Sequence, residues 1–337
     1  MVETSDEWIR ERTGIRERHV SVGETVVTLA SEAARKALEQ AGKRTEEIDL
    51  ILVATCSPEQ YLPCCACQVQ ADIGAVNALA FDVNAACSGF LFALNTADAY
   101  LRTGLAENAL IIGSEVLSKL VDWTDRGSCI LFGDGAGAVV VERCRTESRA
   151  VEYSNALPET EKGMQETAEE KRIPAAGILG RALHSDGTGG GVLQCGAREL
   201  TTPYARTSAA KTDQKQQTDD REHYIQMDGQ EVYRFATRRV PQCIEEALSD
   251  AGLAVPDIDL FVLHQANARI IDAVAKRLHA DREKFPTNLE RVGNLSSASI
   301  PVLLDELNRK GKLHRGDRIV LAGFGAGLTI GACVMTW

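Results

Sequence analysis

The chain has 337 residues, 44% of them hydrophobic and 25% charged, enough to bury a large core in two packed subdomains. Its net charge of −11 gives no support to nucleic-acid binding, and no apolar run reaches the length of a membrane-spanning helix. Ten cysteines in so long a chain fit reduced thiols in a cytosol better than a secreted disulfide scaffold, and the opening Met-Val-Glu-Thr-Ser-Asp-Glu does not read as a signal peptide.

In chain order, Ala37-Leu38-Glu39-Gln40-Ala41-Gly42 predicts the end of a helix closed by glycine. A short acidic turn then leads into Glu47-Ile48-Asp49-Leu50-Ile51-Leu52-Val53, whose apolar run predicts a buried strand. Cys64, Cys65 and Cys67 follow. No second Cys or His pair stands at zinc-ligand spacing, so no metal site is expected and the three read as small apolar fillers. Residues 78–83 predict another buried strand, after which Phe90, Leu91, Leu94 and Ala97 recur at helical spacing. Cys87 therefore lies at a strand-to-helix turn, among the small residues Ala85, Ala86, Ser88 and Gly89. Free N–H groups and the positive end of the helix dipole favour thiolate there, and the small neighbours leave room for a substrate carbonyl. A buried structural cysteine is the commoner role for a free thiol, and this segment alone leaves both readings open.

Residues 146–224 differ in character. Residues 158–162 and 167–171 are highly charged and 211–220 almost wholly polar, as in long solvated loops. The glycine-rich run His184 to Gly191 lacks a following Gly-Lys-Ser/Thr, so it reads as a plain loop rather than a phosphate cradle. Beyond it, His264 ends the apolar run Leu260-Phe261-Val262-Leu263 and opens Gln265-Ala266-Asn267, the carboxyl edge of a sheet where open α/β folds place ligands. A core-edge histidine bonded to backbone is the alternative. Asn294, in Gly293-Asn294-Leu295-Ser296-Ser297-Ala298-Ser299, precedes a helical stretch and reads as a site residue or as a helix N-cap.

An internal repeat organises these pieces. Residues 37–53 recur 210 positions later, Ala37 matching Ala247 and Ile48 matching Ile258, as a glycine-closed helix, an acidic turn and a buried strand. A looser echo pairs Phe132-Gly133-Asp134-Gly135-Ala136-Gly137 with Gly323-Phe324-Gly325-Ala326-Gly327. The expectation is two related α/β halves, 1–145 with the cysteine and 225–337 with the histidine and asparagine, joined by 146–224. Both sheets should be covered on both faces.

Taken together, Thr4-Ser5-Asp6-Glu7-Trp8-Ile9, Arg12-Thr13-Gly14-Ile15, Asp82 through Phe90, Thr124-Asp125-Arg126-Gly127, Leu131 through Gly137, His264-Gln265-Ala266-Asn267 and Gly293 through Ser299 resemble the β-ketoacyl-acyl-carrier-protein synthase III family over nearly the whole length. That resemblance implies an α/β, thiolase-like fold of two pseudo-repeated halves layered α-β-α-β-α, usually as a cytoplasmic homodimer. It implies Cys87, His264 and Asn294 as a catalytic triad, with an oxyanion hole from the backbone of Cys87 and Ala326. Trp8, Arg12 and Arg126 match positions that hold CoA. Arg234, Arg269, Lys276 and Arg277 match the basic patch that docks the acidic acyl carrier protein. Leu62 matches the position contributed across the dimer to the acyl pocket, and its small side chain implies a primer larger than acetyl. The implied reaction joins an acyl-CoA primer to malonyl-carrier protein with no metal or redox cofactor. A relative acting in specialised metabolism, or an inactive homolog that only binds CoA or carrier protein, are the alternatives. Family members carry a further segment before the one that begins this chain, so either the start is misassigned or one sheet is expected to lack a central strand, and 146–224 is longer than usual.

Overall fold

A computed structural model describes residues 2–144, 177–196 and 223–337. The chain opens with helix α1 (Asp6–Thr13) and continues through α2 (Val26–Ala41), strand β1 (Leu50–Ala54), α3 (Cys65–Ile73), β2 (Leu79–Val83), α4 (Gly89–Thr103), β3 (Asn108–Val116) and β4 (Asp134–Glu142). It resumes with β5 (Gly177–Ser185), β6 (Leu193–Gln194) and β7 (Gln226–Met227). Then come α5 (Gly229–Ala251), β8 (Leu260–Leu263), α6 (Ala268–Arg277), α7 (Leu289–Val292), α8 (Ser299–Arg309), β9 (Arg318–Gly325) and β10 (Thr329–Thr336).

The repeat read from sequence is a structural repeat. Helices α2 and α5 both end on a glycine in the left-handed region, Gly42 at φ +64° and Gly252 at φ +66°. Glycine is used there because a side chain would be strained at that φ. Each helix leads through a short 3-10 turn to an aspartate, then to a strand of its sheet, β1 or β8. Asp49 Oδ2 accepts the Asn108 N–H at 2.9 Å and Asp259 Oδ2 accepts the Arg318 N–H at 2.8 Å, so each acid clamps its strand to the next.

Two four-stranded sheets result, ordered β2-β1-β3-β4 and β5-β10-β9-β8. Strand β1 is parallel to β2 and β3, with β4 antiparallel to β3; β8 is parallel to β9, with β10 antiparallel to β9. Helices α2 and α3 bury Val26, Ala30, Val69 and Ile73 on the outer face of the first sheet. Helices α5 and α6 bury Val240, Ile244, Ile271 and Val274 on the outer face of the second. Between the sheets lie α4 and α8, whose Phe90, Leu94, Leu303 and Leu304 share one core with Leu52, Ile111, Val262 and Leu321. The layering is thus α-β-α-β-α. Each buried apolar side chain of this size contributes about 1.5–3 kcal/mol, which is why the strands read as continuous apolar runs rather than alternating ones.

Two expectations need correction and one is not reached. Residues 177–185, expected as solvated loop, form β5 and pair antiparallel with β10. The charged and polar runs at 158–162, 167–171 and 211–220 lie outside the described residues. The incomplete position in the first sheet is at an edge, not the centre: β10 is flanked by β9 and β5, whereas its counterpart β4 has only β3 beside it among the described residues. A groove of about 1020 Å³ runs along that edge of β4, lined by Val139, Val141, Phe90, Leu94, Leu304 and Trp337.

Candidate active site

Cys87 sits in a 3-10 turn, Ala86–Ser88, between the end of β2 and the first turn of α4. Ala86 holds φ +46°, a left-handed conformation that costs a non-glycine residue about 1–3 kcal/mol and turns the chain sharply. The end of β9 approaches the same turn. A Cβ on Gly325 would lie 2.6 Å from the Cys87 nitrogen, so only glycine allows the two backbones to meet. Side chains tie them further. Ser88 Oγ donates to Thr329 Oγ1 at 2.7 Å, and the Thr329 hydroxyl lies 3.1 Å from both the Ala85 and Ala326 carbonyls. Ala326 therefore stands immediately beside the Cys87 turn.

The thiol itself differs from the sequence-based expectation. Burial pushes Cys87 up to about 12; the Ser296 hydroxyl opposes this, and the nearby Glu115 adds to it. Desolvation outweighs the helix end here, so the resting group is the thiol and not the thiolate.

His264 follows β8, and its N–H donates to the Ala322 carbonyl at 2.8 Å. Its ring is buried, packs edge-on against Phe324 with centroids 5.6 Å apart, and leaves Nδ1 with no partner among the described residues. Burial pushes its pKa down to about 3, so the imidazole is neutral at any ordinary pH. Phe324 adjoins Gly325, which links the histidine to the cysteine turn.

Asn294 is held by backbone: its N–H donates to the Leu131 carbonyl at 2.9 Å, and its carbonyl accepts from Gly133 at 3.0 Å. Asn294 Oδ1 accepts the Ser296 N–H at 2.8 Å, a turn two residues on and not a helix cap, since Leu295 and Ala298 hold the N-cap positions that follow; the amide nitrogen is the donor end left over. Ser296, also at positive φ (+47°), neighbours both thiols of the site, with Cys56 Sγ 3.9 Å from its Oγ.

A buried acid supports this wall. Glu115, at the end of β3, is fully buried and accepts from Ser57 Oγ at 2.5 Å, Ser297 Oγ at 2.8 Å, Thr55 Oγ1 at 3.2 Å and the Cys56 N–H at 3.2 Å. No sequence reading singled out Glu115. The available signal was a lone acid closing the apolar run Leu110-Ile111-Ile112-Gly113-Ser114.

The other candidates fall into two groups. Two guanidiniums lie over the Trp8 ring, Arg12 at 4.8 Å and Arg126 at 4.7 Å from its centroid. Arg269, Lys276 and Arg277 lie exposed on α6, and Arg269 Nη2 donates to the Glu11 carbonyl at 2.8 Å. The end of α1 thus joins the Trp8 cluster to the basic face of α6. Arg234, on α5, is ion-paired with Glu231 at 2.5 Å. Leu62 stands 85% exposed. Neither the groove along β4 nor a smaller cavity of about 390 Å³ beside Arg238 and Arg239 is lined by Cys87, His264 or Asn294. Among the described residues no group of three or more His, Cys, Asp or Glu has the arrangement to hold a metal ion, and no helix is long and apolar enough to cross a membrane.

The chain that carries this buried thiol, glycine-rich turn, neutral histidine and asparagine has close relatives. A family model described as 3-oxoacyl-[acyl-carrier-protein (ACP)] synthase III matches residues 81–156, and another described as the C-terminal part matches residues 248–337. A β-ketoacyl-[acyl-carrier-protein] synthase III of Clostridium acetobutylicum is 44% identical over 337 residues, covering 100% of this chain and 92% of the relative. One of Desulfitobacterium hafniense is 44% identical over 339 residues, covering 100% and 91%. Among solved structures, the 3-oxoacyl-[acyl-carrier-protein] synthase III of Aquifex aeolicus matches with a TM-score of 0.83 at 38% identity, covering 100% of this chain and 92% of that one. That of Thermus thermophilus gives 0.82 at 37%, with the same coverage. Identity at this level over the full length, on a shared layered fold, means that the chain belongs to the β-ketoacyl-[acyl-carrier-protein] synthase III family.

Proposed function

We propose that this chain joins an acyl-CoA primer to malonyl-carrier protein by decarboxylative condensation, with the acyl group carried on Cys87. Family membership makes it a condensing acyltransferase of fatty-acid synthesis. The observation that supports the residue-level reading is the approach of Gly325 to Cys87 N, which sets the Cys87 and Ala326 backbones side by side.

In the first half-reaction the Cys87 sulfur attacks the acyl-CoA thioester and CoA leaves as the thiol, taking up the proton that Cys87 gives up. The tetrahedral oxygen is held by the N–H groups of Cys87 and Ala326, donors fixed before the reaction begins. In the second, malonyl-carrier protein loses CO2 and the charge passes to its thioester oxygen. His264 Nε2 and Asn294 Nδ2 donate to that oxygen. A buried neutral imidazole suits this task, because it donates a hydrogen bond without needing a proton from solvent. With Nδ1 unpartnered, the single ring proton is free to sit on Nε2. With Oδ1 of Asn294 taken by the Ser296 N–H, Nδ2 is the end of the amide that remains to donate. The carbanion then attacks the acyl carbonyl and frees the Cys87 sulfur.

Trp8, Arg12 and Arg126 hold CoA, the indole and guanidinium planes stacking on the adenine and Arg12 facing phosphate. Arg234, Arg269, Lys276 and Arg277 receive the acidic carrier protein, a local basic face on a chain of net charge −11. A homodimer forms through the free edge of β2, beside which Tyr61, Leu62, Val76 and Leu79 expose apolar surface, and Leu62 enters the partner's acyl pocket. The protein works in the cytoplasm without a cofactor.

Intact-mass measurement after incubation with acyl-CoA tests the first half directly. One acyl adduct on the native chain and none on Cys87→Ala is expected. An adduct that survives Cys87→Ala refutes the reading.

A further inference from the structure

Glu115 stands near the end of β3 with no exposed surface, and no step of the condensation uses it. A buried carboxyl group is costly unless donors surround it. Here they do. Oε2 accepts from Ser57 Oγ at 2.5 Å, Thr55 Oγ1 at 3.2 Å and the Cys56 N–H at 3.2 Å, all just past the end of β1. Oε1 accepts from Ser297 Oγ at 2.8 Å, and Ser297 belongs to the opposite half. The acid thus spans the junction between the two halves.

Ser297 is anchored on several sides. Its hydroxyl also lies 2.8 Å from the Ala54 carbonyl. A Cβ on Gly113 would fall 2.4 Å from the Ser297 carbonyl oxygen, and one on Gly89, two residues past Cys87, would fall 3.6 Å from the Ser297 Cβ. The residue before it, Ser296, sits in the left-handed region at φ +47°. A residue with a side chain stays there only where its surroundings over-determine it. In that conformation the Ser296 N–H meets Asn294 Oδ1 at 2.8 Å. The Asn294 backbone is held separately, by Leu131 and Gly133, so only its side chain answers to Ser296.

We propose that Glu115 is a positioning residue: through Ser297 it keeps Ser296 left-handed and so orients the Asn294 amide, a role that rests on Asn294 donating to the enolate oxygen. Glu115 touches no substrate and moves no proton. Loosening the anchor lets Ser296 relax, frees Asn294 Oδ1 and lets the amide turn away. The effect falls on condensation, because attack of Cys87 on acyl-CoA does not use Asn294.

Three substitutions separate positioning from chemistry. Glu115→Gln keeps an oxygen for the donors past β1 and turns its NH2 toward Ser297 Oγ, which still donates to Ala54, so the anchor survives. Glu115→Ala removes the anchor and leaves buried donors without an acceptor. Ser297→Ala cuts the same tie from the other end by removing one hydroxyl, and keeps the test decisive where Glu115→Ala fails to fold.

Single-turnover acylation and condensation, with steady-state kcat and KM, are measured on the full-length protein, on these variants, on Asn294→Ala and on the Ser297→Ala, Asn294→Ala pair. Ser297→Ala and Glu115→Ala should lower the condensation kcat roughly tenfold, less than the hundredfold that a full ångström of displacement costs. KM for malonyl-carrier protein and the acylation rate should stay within about twofold of native, and Glu115→Gln should condense within about threefold of it. With Asn294 already alanine, Ser297→Ala should cost nothing further, because the two act as one unit. Additive losses in the pair, equal losses in both half-reactions, or Glu115→Gln as impaired as Glu115→Ala would each overturn the proposal while leaving Asn294 in its place. Condensation unchanged in Asn294→Ala would overturn the reading of the site and the proposal with it.

Discussion

A Cβ placed on Gly325 would sit 2.6 Å from the amide nitrogen of Cys87, closer than any stable contact allows. Gly325→Ala must therefore push the β9 turn and the cysteine turn apart. A shift on the order of 1 Å at reacting groups lowers rates by about a hundredfold. Acyl transfer to Cys87 should fall by that order while far-UV circular dichroism stays native. An unchanged acylation rate would show that the two turns do not act together.

Asn294→Asp separates the two roles of the asparagine. The carboxylate keeps an acceptor for the Ser296 N–H but loses the amide donor, and its charge opposes a developing enolate. Condensation should drop by about 10²–10³-fold, the effect of removing one oxyanion donor. Acylation of Cys87 should change much less. Single-turnover assays of the two half-reactions decide it, and equal losses in both would refute the division of labour.

The neutral His264 makes a signed prediction about pH. Its value falls from 6.5 unfolded to about 3 folded, through burial. Between those values the unfolded chain binds a proton that the folded chain refuses. This group thus has no effect on stability above pH 6.5 and lowers it as pH falls through the window, by at most about 1.4 kcal/mol per unit. Urea unfolding from pH 7 to 4 should show a steeper loss for the native protein than for His264→Gln. The condensation rate should show no inflection near 6.5 that disappears with that substitution.

Charge reversal at Lys276 and Arg277 should raise KM for malonyl-carrier protein about tenfold or more, with a weaker salt dependence than the native enzyme. Acylation by CoA thioesters should be unaffected, because the Trp8 cluster lies on α1 and the Arg126 loop. A matching loss in the CoA half-reaction would place the two residues elsewhere in function.

Strand β4 has only β3 beside it among the described residues, which predicts uneven protection. Alternate amides of β4 face the groove, whereas β10 is paired on both sides. Residue-resolved hydrogen exchange should show fast positions alternating with slow ones along β4 and uniformly slow ones along β10. Uniform protection of β4 would mean that another segment covers the edge.

The two halves were legible because the sequence carries them locally. Glycine closing α2 and α5, the aspartates at 49 and 259, and continuous apolar strands are short-range signals, and a gapless repeat makes them reinforce one another. The positions of Cys87, His264 and Asn294 at element boundaries were legible for the same reason. What no local pattern carries is a free energy set by distant neighbours. The helix end argued for a thiolate, but burial, with a contribution from Glu115, pushes Cys87 up to about 12. The three cysteines at 64, 65 and 67 read alike, and only the face of α3 on which each falls separates core from surface. Strand β5 looked like loop because its pairing partner, β10, lies some 150 residues away, as the ladder Gly180 to Val334 shows. Chain order alone determined the repeat and the placing of reactive residues at turns. Tertiary structure decided protonation, exposure and which edge of a sheet is open, because desolvation and strand pairing depend on groups far apart in sequence.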